Sequence, residues 1–185
     1  MSIVEKVTKT RVTLKEVLSS EWDTSVMPEF SNNEVEKMYT LPSSKNKQIA
    51  QFGVASACNF SLKHSSIPSY SLHVIYYNFP EIGKTSSKIT KSSCDKIESL
   101  YSSELIGPFD SIIMIINDEI SESLQSSFDA LNVKLQNDLE SIEMDGKILD
   151  EMKKSKYYLE KKHFRNVTVF NVNNLTNNIM KHRLV

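Results

Sequence analysis

The pattern of apolar and polar positions is interrupted by one continuous apolar run, between Asp110 and Asn117. If this run is a strand, the five consecutive large apolar residues of Ile112–Ile116 cannot alternate between a core and solvent. A strand that is apolar on both faces must be covered on both faces, so the run predicts a central strand with helices on each side of its sheet. It is too short to span a membrane as a helix. Asp118 and Ser121 follow it as candidate N-caps of a helix.

Two predicted strands precede this run. Apolar side chains alternate from Phe52 to Leu62, and β-branched and aromatic residues dominate from Leu72 to Phe79. The turn-rich connection between them predicts a hairpin-like antiparallel pair. Before them, a helical spacing over residues 3–20 predicts an N-terminal helix, and Trp22 follows it as a candidate core anchor.

Helical patterns and a last strand complete the predicted sheet. Residues 88–103 predict a polar helix, and residues 166–171 predict a strand at a sheet edge. After the central run, a stripe with spacings of three and four predicts a long helix, and a second stripe continues to about residue 162. The members of the first stripe are Ile120, Leu124, Phe128, Leu131, Leu135, Leu139 and Ile142. The fold class is therefore α/β, with a mixed sheet flanked by helices in one domain.

Composition and charge narrow the class of protein. The 185 residues are 39% hydrophobic and 24% charged, which is typical of a globular domain. The formal net charge is -1, so no overall field would attract nucleic acid or an anionic membrane. The N-terminus lacks the apolar segment of a signal peptide, so we expect an intracellular protein with Cys58 and Cys94 as thiols. The spacing of these cysteines leaves a disulfide between them open.

Motifs for common chemistries are missing from the sequence. Its histidines and cysteines show no metal-ligand spacing, and its glycines form no phosphate-binding loop. The Gly-x-Ser-x-Gly element of the α/β hydrolases is also missing. Pairing of a cysteine with a histidine as nucleophile and base stays open, because such partners need not be close in sequence. The residues alone predict an α/β domain with no recognisable active site, metal site or cofactor.

The order of several segments resembles a known family. The segment 73–80 (HVIYYNFP) is similar to the FVFFP strand end of the fifth-largest subunit shared by the eukaryotic nuclear RNA polymerases. The cysteine-containing segment 88–97 and the run 110–117 (DSIIMIIN) resemble the helix and the buried strand that follow in that family. Residues 120–128 fall where the family has MTPSAKQSL, and residues 178–185 (NIMKHRLV) are similar to its NITEHELV. The ordered set carries the resemblance, since no single motif is specific.

The resemblance implies that residues 1–185 correspond to the N-terminal jaw domain of this family. Its fold is related to that of the restriction endonucleases, without their catalysis. The expected partners are the largest RNA polymerase subunit, other polymerase subunits and, weakly through its backbone, downstream double-stranded DNA. No cofactor, metal or membrane partner is implied. The expected location is the nucleus, or a virion or cytoplasmic viral factory if the Asn-, Lys- and Ile-rich composition reflects a large DNA virus.

Two departures from the family concern the organisation of the chain. A C-terminal domain that anchors the family to the polymerase normally follows the position of Val185, where this sequence ends. Either the sequence is truncated or the anchor lies elsewhere. Residues 134–165 are longer than the equivalent segment of the family and predict a helical insertion.

A third departure concerns contact with DNA. The family has a Thr-Pro-Ser-Ala element near DNA, and this chain has SESL at residues 121–124. The proline is lost, an acidic residue is gained, and the lysine that follows in the family is Gln125 here. The candidate nucleic-acid-proximal residues are Ser121, Ser123 and Gln125, whose donors lie at a predicted helix N-terminus. The alternative for Ser121 is that it only caps the helix.

Three hypotheses of function follow from these observations. The first is a non-catalytic polymerase subunit that supports transcription by holding its position. The second is a free-standing protein-interaction module, which the absence of an anchoring domain after Val185 favours. The third is a Mg-dependent nuclease of the same fold, which would place an Asp and a Glu-x-Lys on adjacent strands. The predicted strands 52–62 and 72–79 contain no acidic residue, which argues against a nuclease.

Overall fold

Four strands and three α-helices form the part of the chain that the computed structural model describes, residues 3–27, 33, 60–67, 69–77, 89–117, 119–138 and 164–174. The helices are α1 (Ile3–Leu18), α2 (Lys91–Ser102) and α3 (Glu122–Asn137). The strands are β1 (Phe60–Lys63), β2 (Ser71–Tyr77), β3 (Ser111–Ile116) and β4 (Val167–Asn171). Short 3-10 helices occur at Thr24–Val26 and Val172–Asn174.

Strand β3 lies inside the sheet, as its continuous apolar pattern predicts. All six of its residues are buried, and it pairs with β2 on one side and β4 on the other. Both pairings are parallel, with Ile113 opposite Val74 in β2 and opposite Thr168 in β4. Burying a large aliphatic side chain stabilises a fold by about 1.5–3 kcal/mol relative to exposing it, so this strand is a major source of stability.

The sheet is mixed, because β1 runs antiparallel to β2 while β2, β3 and β4 are parallel. The strand order is β1-β2-β3-β4. The predicted antiparallel pair is confirmed for the described residues of β1 and β2. The first strand is described from Phe60, and the remainder of the predicted strand, residues 52–59, lies outside the described residues, as do Asn78 and Phe79 at the end of the second strand.

Helices cover both faces of this sheet. On one face, α1 and the Trp22 region pack against alternate residues of the strands, including Leu72, Val74 and Ile113. On the other face, α2 and α3 pack against the intervening residues, including Ile75 and Met114. Helix α2 lies in the connection from β2 to β3, and α3 lies in the connection from β3 to β4. Both connections step in the same direction across the sheet, so if both have the usual right-handed sense, their helices must lie on the same face. The α/β class predicted from the sequence is confirmed.

Helix α3 follows its predicted stripe. Its buried residues are Leu124, Phe128, Leu131 and Leu135, which step by three and four. The helix ends at Asn137. The last two members of the stripe, the second stripe and most of the predicted insertion at 134–165 lie outside the described residues, because residues 139–163 are not described.

Strand β4 is the last strand of the described sheet, in agreement with its predicted edge position. Its outer side meets α3 through Asn132. The side-chain amide of Asn132 donates to the carbonyl oxygen of Val167, and the Val167 N–H donates to the Asn132 side-chain oxygen, both at 2.8 Å. The backbone of the edge strand is thus hydrogen-bonded at this point by a side chain.

Other sequence predictions can be compared with the described residues. Trp22 is buried, with its ring 4.9 Å from that of Tyr70 between centroids, so its predicted role as a core anchor is confirmed. Cys94 is a buried free thiol, whereas Cys58 lies outside the described residues. Among the described helices, none is both long and apolar enough to cross a membrane.

Candidate functional site

The three candidate DNA-proximal residues lie together at the start of α3, beyond the carboxyl end of β3. Ser121, Ser123 and Gln125 are all exposed. Ligands of open α/β sheets bind beyond the carboxyl ends of the strands, so the location is suitable for a binding surface. The structure therefore brings the three residues to one exposed turn, and their contact with DNA stays a prediction.

Ser121 caps α3. Its hydroxyl oxygen accepts a hydrogen bond from the Leu124 N–H at 3.1 Å, and its extended backbone begins the helix. The capping role considered for Ser121 is thus present. The Gln125 amide donates to the Asp129 carboxylate at 2.9 Å. Glu122 occupies the first turn, where a carboxylate is stabilised by the helix dipole and repels a phosphate.

A second polar cluster, which no sequence motif indicates, lies at the opposite end of the sheet, near the amino ends of β2 and β3. Ser61 of β1 and His73 of β2 are directly opposite in the antiparallel register, and Asp110 immediately precedes β3. The Ser61 hydroxyl is 2.7 Å from His73 Nδ1, and His73 Nε2 is 2.8 Å from the Asp110 carboxylate. A hydroxyl, an imidazole and a carboxylate are therefore connected across three neighbouring strands.

The parity of the β1–β2 ladder explains why Ser61 and His73 meet. The His64 N–H donates to the Tyr70 carbonyl at 2.9 Å, which makes that pair hydrogen-bonded. Because hydrogen-bonded and non-hydrogen-bonded pairs alternate, the pair of Ser61 and His73 is non-hydrogen-bonded. Side chains approach most closely in such pairs, and their backbone N–H and C=O groups point away from the partner strand.

Asp110 is held by backbone donors as well as by His73. One carboxylate oxygen accepts from the Ser71 N–H at 3.0 Å, and the other accepts from the Gly107 N–H at 2.8 Å. Gly107 is required for this approach, because a Cβ at that position would lie 2.9 Å from the nearer carboxylate oxygen. Asp110 therefore joins the turn before β3 to the start of β2.

These contacts define the hydrogen positions on the ring of His73. A carboxylate only accepts hydrogen bonds, so Nε2 carries the proton that is directed at Asp110. In the neutral ring Nδ1 is then the acceptor, and the Ser61 hydroxyl donates to it. The side chains of His73 and Asp110 are 14% and 8% exposed, so the relay is sheltered up to the exposed Ser61.

Two buried phenols support the same end of the sheet. Tyr101 of α2 donates to the backbone carbonyl of Asp110 at 2.5 Å, and Tyr70 shares a hydrogen bond of 2.8 Å with Ser111. Burial raises the pKa of Tyr101 well above its ordinary value, and the charge of Asp110 adds to the increase. Burial likewise raises the pKa of Tyr70, partly offset by its hydrogen bond to Ser111. Both phenols are therefore neutral in the folded protein at physiological pH.

The described residues do not place three or more potential metal ligands of the His, Cys, Asp and Glu types together. His73 and Asp110 approach each other, and their facing atoms bind one another. The remaining described histidine, His64, accepts at Nδ1 from the Ser66 and Ile67 N–H groups and stacks on Tyr70. Its role in this part of the chain is to order the turn between β1 and β2.

Comparison with models of known protein families gave no match, and neither did a search of curated proteins.

Proposed function

We propose that this chain is a non-catalytic subunit of a multisubunit DNA-directed RNA polymerase, which packs on the largest subunit near downstream DNA and supports transcription. The proposal rests on the ordered resemblance of segments 73–80, 88–97, 110–117 and 178–185 to the shared subunit of the nuclear polymerases. The structural observation that supports it best is the composition of the sheet.

The described strands carry aliphatic and aromatic residues where a nuclease would carry acids. None of β1, β2, β3 and β4 contains an Asp or a Glu within its described bounds. A nuclease of the restriction-endonuclease type holds Mg²⁺ with carboxylates on adjacent strands. Asp110, which immediately precedes β3, is hydrogen-bonded to Ser71, Gly107 and His73. This arrangement supports a bracing role over phosphodiester cleavage.

The same resemblance implies a fold related to that of the restriction endonucleases, used here as a rigid domain without catalysis. A rigid domain suits a subunit that must hold its position. Apolar side chains are buried on both faces of the sheet, and β3 is covered by both clusters. Such close-packed interiors deform little, so force applied at one helix is transmitted to the whole sheet.

Affinity purification of the tagged protein from its native cells tests the assignment. We expect the largest polymerase subunit to co-purify in near-equal amount, as measured by quantitative mass spectrometry. Val12 of α1 and Val133 of α3 are 57% and 60% exposed on helices that cover opposite faces of the sheet. Val12→Asp and Val133→Asp should therefore leave the fold intact, and selective loss of the large subunit with one variant would identify the docking face.

Absence of polymerase subunits in that purification would contradict the proposal and favour the free-standing interaction module. Proximity to DNA is tested separately in the assembled polymerase by crosslinking to downstream duplex. Ser123→Glu adds negative charge on the first turns of α3 and should lower crosslinking to this subunit. Ala130→Glu, on an exposed position further along the same helix, is the matched control and should leave crosslinking unchanged.

A further inference from the structure

Ser61, His73 and Asp110 form a relay whose chemistry the proposed polymerase role does not use. The relay begins at an exposed hydroxyl, passes through one imidazole and ends at a carboxylate with two backbone donors. A nucleophile within hydrogen-bond reach of a base, with the base oriented by a third group, is the arrangement that activates serine in acyl transfer. Such arrangements are recognised by geometry and roles, independently of sequence order.

The order of protonation suits removal of a proton from Ser61. In the neutral ring, with the Nε2 proton directed at Asp110, His73 Nδ1 presents its lone pair to the hydroxyl at 2.7 Å. A proton that moves from Ser61 to Nδ1 would create an imidazolium next to a buried carboxylate, which stabilises it. The ring nitrogens have the reverse roles from those in the serine proteases, where Nε2 faces the serine.

Access and charge also favour attack from the outer side of β1. The apolar cluster under α2 and α3 has no member in β1, and Ser61 is exposed on that face. The N–H of Ser61 points away from β2, because its pair with His73 is non-hydrogen-bonded. Lys63 projects from the same face two residues further along β1 and is exposed. The Ser61 N–H and the Lys63 side chain are thus on β1 close to where a negative charge would develop beside Ser61, and each favours such a charge electrostatically.

We propose that Ser61 is a nucleophilic serine that accepts an acyl group from carboxylic esters. In this step Ser61 Oγ forms a bond to the ester carbonyl carbon, and its proton moves to His73 Nδ1. The bond between that carbon and the alcohol oxygen then breaks, and the leaving alcohol takes the proton from the imidazolium. The products are acyl-Ser61 and the free alcohol, with His73 returned to its neutral form.

The full chain treated with p-nitrophenyl acetate provides the test. We expect release of nitrophenolate to accompany acetylation of Ser61, mapped by peptide mass spectrometry. Ser61→Ala should abolish that modification, and His73→Gln should slow it by about 100-fold, the usual contribution of a general base. Ser65→Ala removes another exposed serine in the turn after β1 and should leave the rate unchanged.

Folding is monitored by near-ultraviolet circular dichroism for every variant. A second measurement does not depend on the His73 variant. When the wild-type chain is unfolded in urea, acetylation should no longer be selective for Ser61, while lysines should still react. The proposal is overturned if Ser61 is acetylated no faster than Ser65 in the folded chain, or if His73→Gln retains the wild-type rate. Failure here leaves the polymerase assignment untouched, because co-purification does not involve this relay.

Discussion

The side chain of Asn132 forms a two-way hydrogen-bonded pair with the backbone of Val167, with both bonds at 2.8 Å. An amide side chain carries an N–H donor and a carbonyl acceptor on the same side, so it can bond the N–H and the C=O of one strand residue at once. On the outer side of β4 it therefore takes the place of a further strand. It occupies the N–H and C=O groups that an exposed edge would otherwise offer to another chain. Helix α3 is joined to the sheet edge by this pair as well as by its apolar stripe.

Replacing Asn132 by Ala should lower the free energy of unfolding by about 1–3 kcal/mol, because the Val167 N–H and C=O lose their partners in a partly buried place. Urea unfolding followed by circular dichroism measures the change. Asn137→Ala makes the same substitution at an exposed position on the same helix and should change stability by less than about 0.5 kcal/mol. Equal effects of the two variants would contradict the role of the pair.

Gly107→Ala should destabilise the protein by about 1–3 kcal/mol, because the added methyl group overlaps the Asp110 carboxylate. The cause can be isolated with a double-mutant cycle. In an Asp110→Ala background the overlap is gone, so Gly107→Ala should cost clearly less than it does in the wild type. Additive costs, measured by denaturant unfolding, would show that the close approach of these two residues is not the reason.

Stability should fall in alkaline solution because of Tyr70 and Tyr101. Their pKa values are raised in the folded state above the ordinary value of 10.0, so the unfolded chain releases these protons first. The stabilisation is fully present below about pH 10 and is lost as the pH rises towards the folded pKa values, by up to about 1.4 kcal/mol per pH unit for each phenol.

Free energies of unfolding measured between about pH 9 and about pH 11, on either side of the ordinary tyrosine pKa, check this. Tyr101→Phe should show a shallower decline than the wild type, because one linked proton is removed. Ser111→Ala removes the hydrogen-bond partner of Tyr70 but no phenol, so it should keep the wild-type decline. An unchanged decline in Tyr101→Phe would exclude this residue as a cause.

The Cys94 thiol should react slowly with thiol reagents in the folded protein. Its side chain is buried beneath α2, and burial raises its pKa, which lowers the fraction of reactive thiolate. In a Cys58→Ser background, iodoacetamide labelling should be at least about tenfold slower in buffer than in urea, where the thiol is exposed. Similar rates in the two solutions would contradict burial of this thiol.

Ser121→Ala should cost about 1 kcal/mol through loss of the N-cap of α3, whereas Ser121→Asp should keep most of the stability because Asp also caps. Thermal unfolding measures both changes. Ser123 lies in the same first turn, but its side chain is exposed and takes no part in the cap hydrogen bond, so Ser123→Ala should be nearly neutral. If Ser121→Ala is neutral as well, the hydrogen bond to the Leu124 N–H contributes little.

Hydrophobic periodicity predicted helices and strands well where the pattern of apolar residues is compatible with only one way of packing the element. The five apolar residues of Ile112–Ile116 required a strand covered on both faces, and the stripe from Leu124 to Leu135 required an amphipathic helix. The α/β class, the antiparallel first pair and the edge position of β4 follow from the same reasoning. The register of the strands does not, because apolar residues throughout β2 and β3 accept more than one alignment.

The polar relay at Ser61 depends on that register and could not be predicted. Its members are separated by 12 and 37 residues, and no local motif contains them. One available signal was the presence of His73 in an otherwise apolar strand, since a polar group in such a strand needs a partner. The partner itself is identified only when β1, β2 and β3 are aligned.

Trp22 is the only tryptophan in the sequence, and it lies where the end of α1 meets the rings of His64 and Tyr70. Its emission consequently samples a single location in the molecule, the seam between the N-terminal helix and the β-sheet. Separation of α1 from the sheet would expose the indole and shift its spectrum to the red, even if the opposite layer of helices stayed intact. Trp22 fluorescence can therefore report whether α1 separates from the sheet before or after the helices on the opposite face.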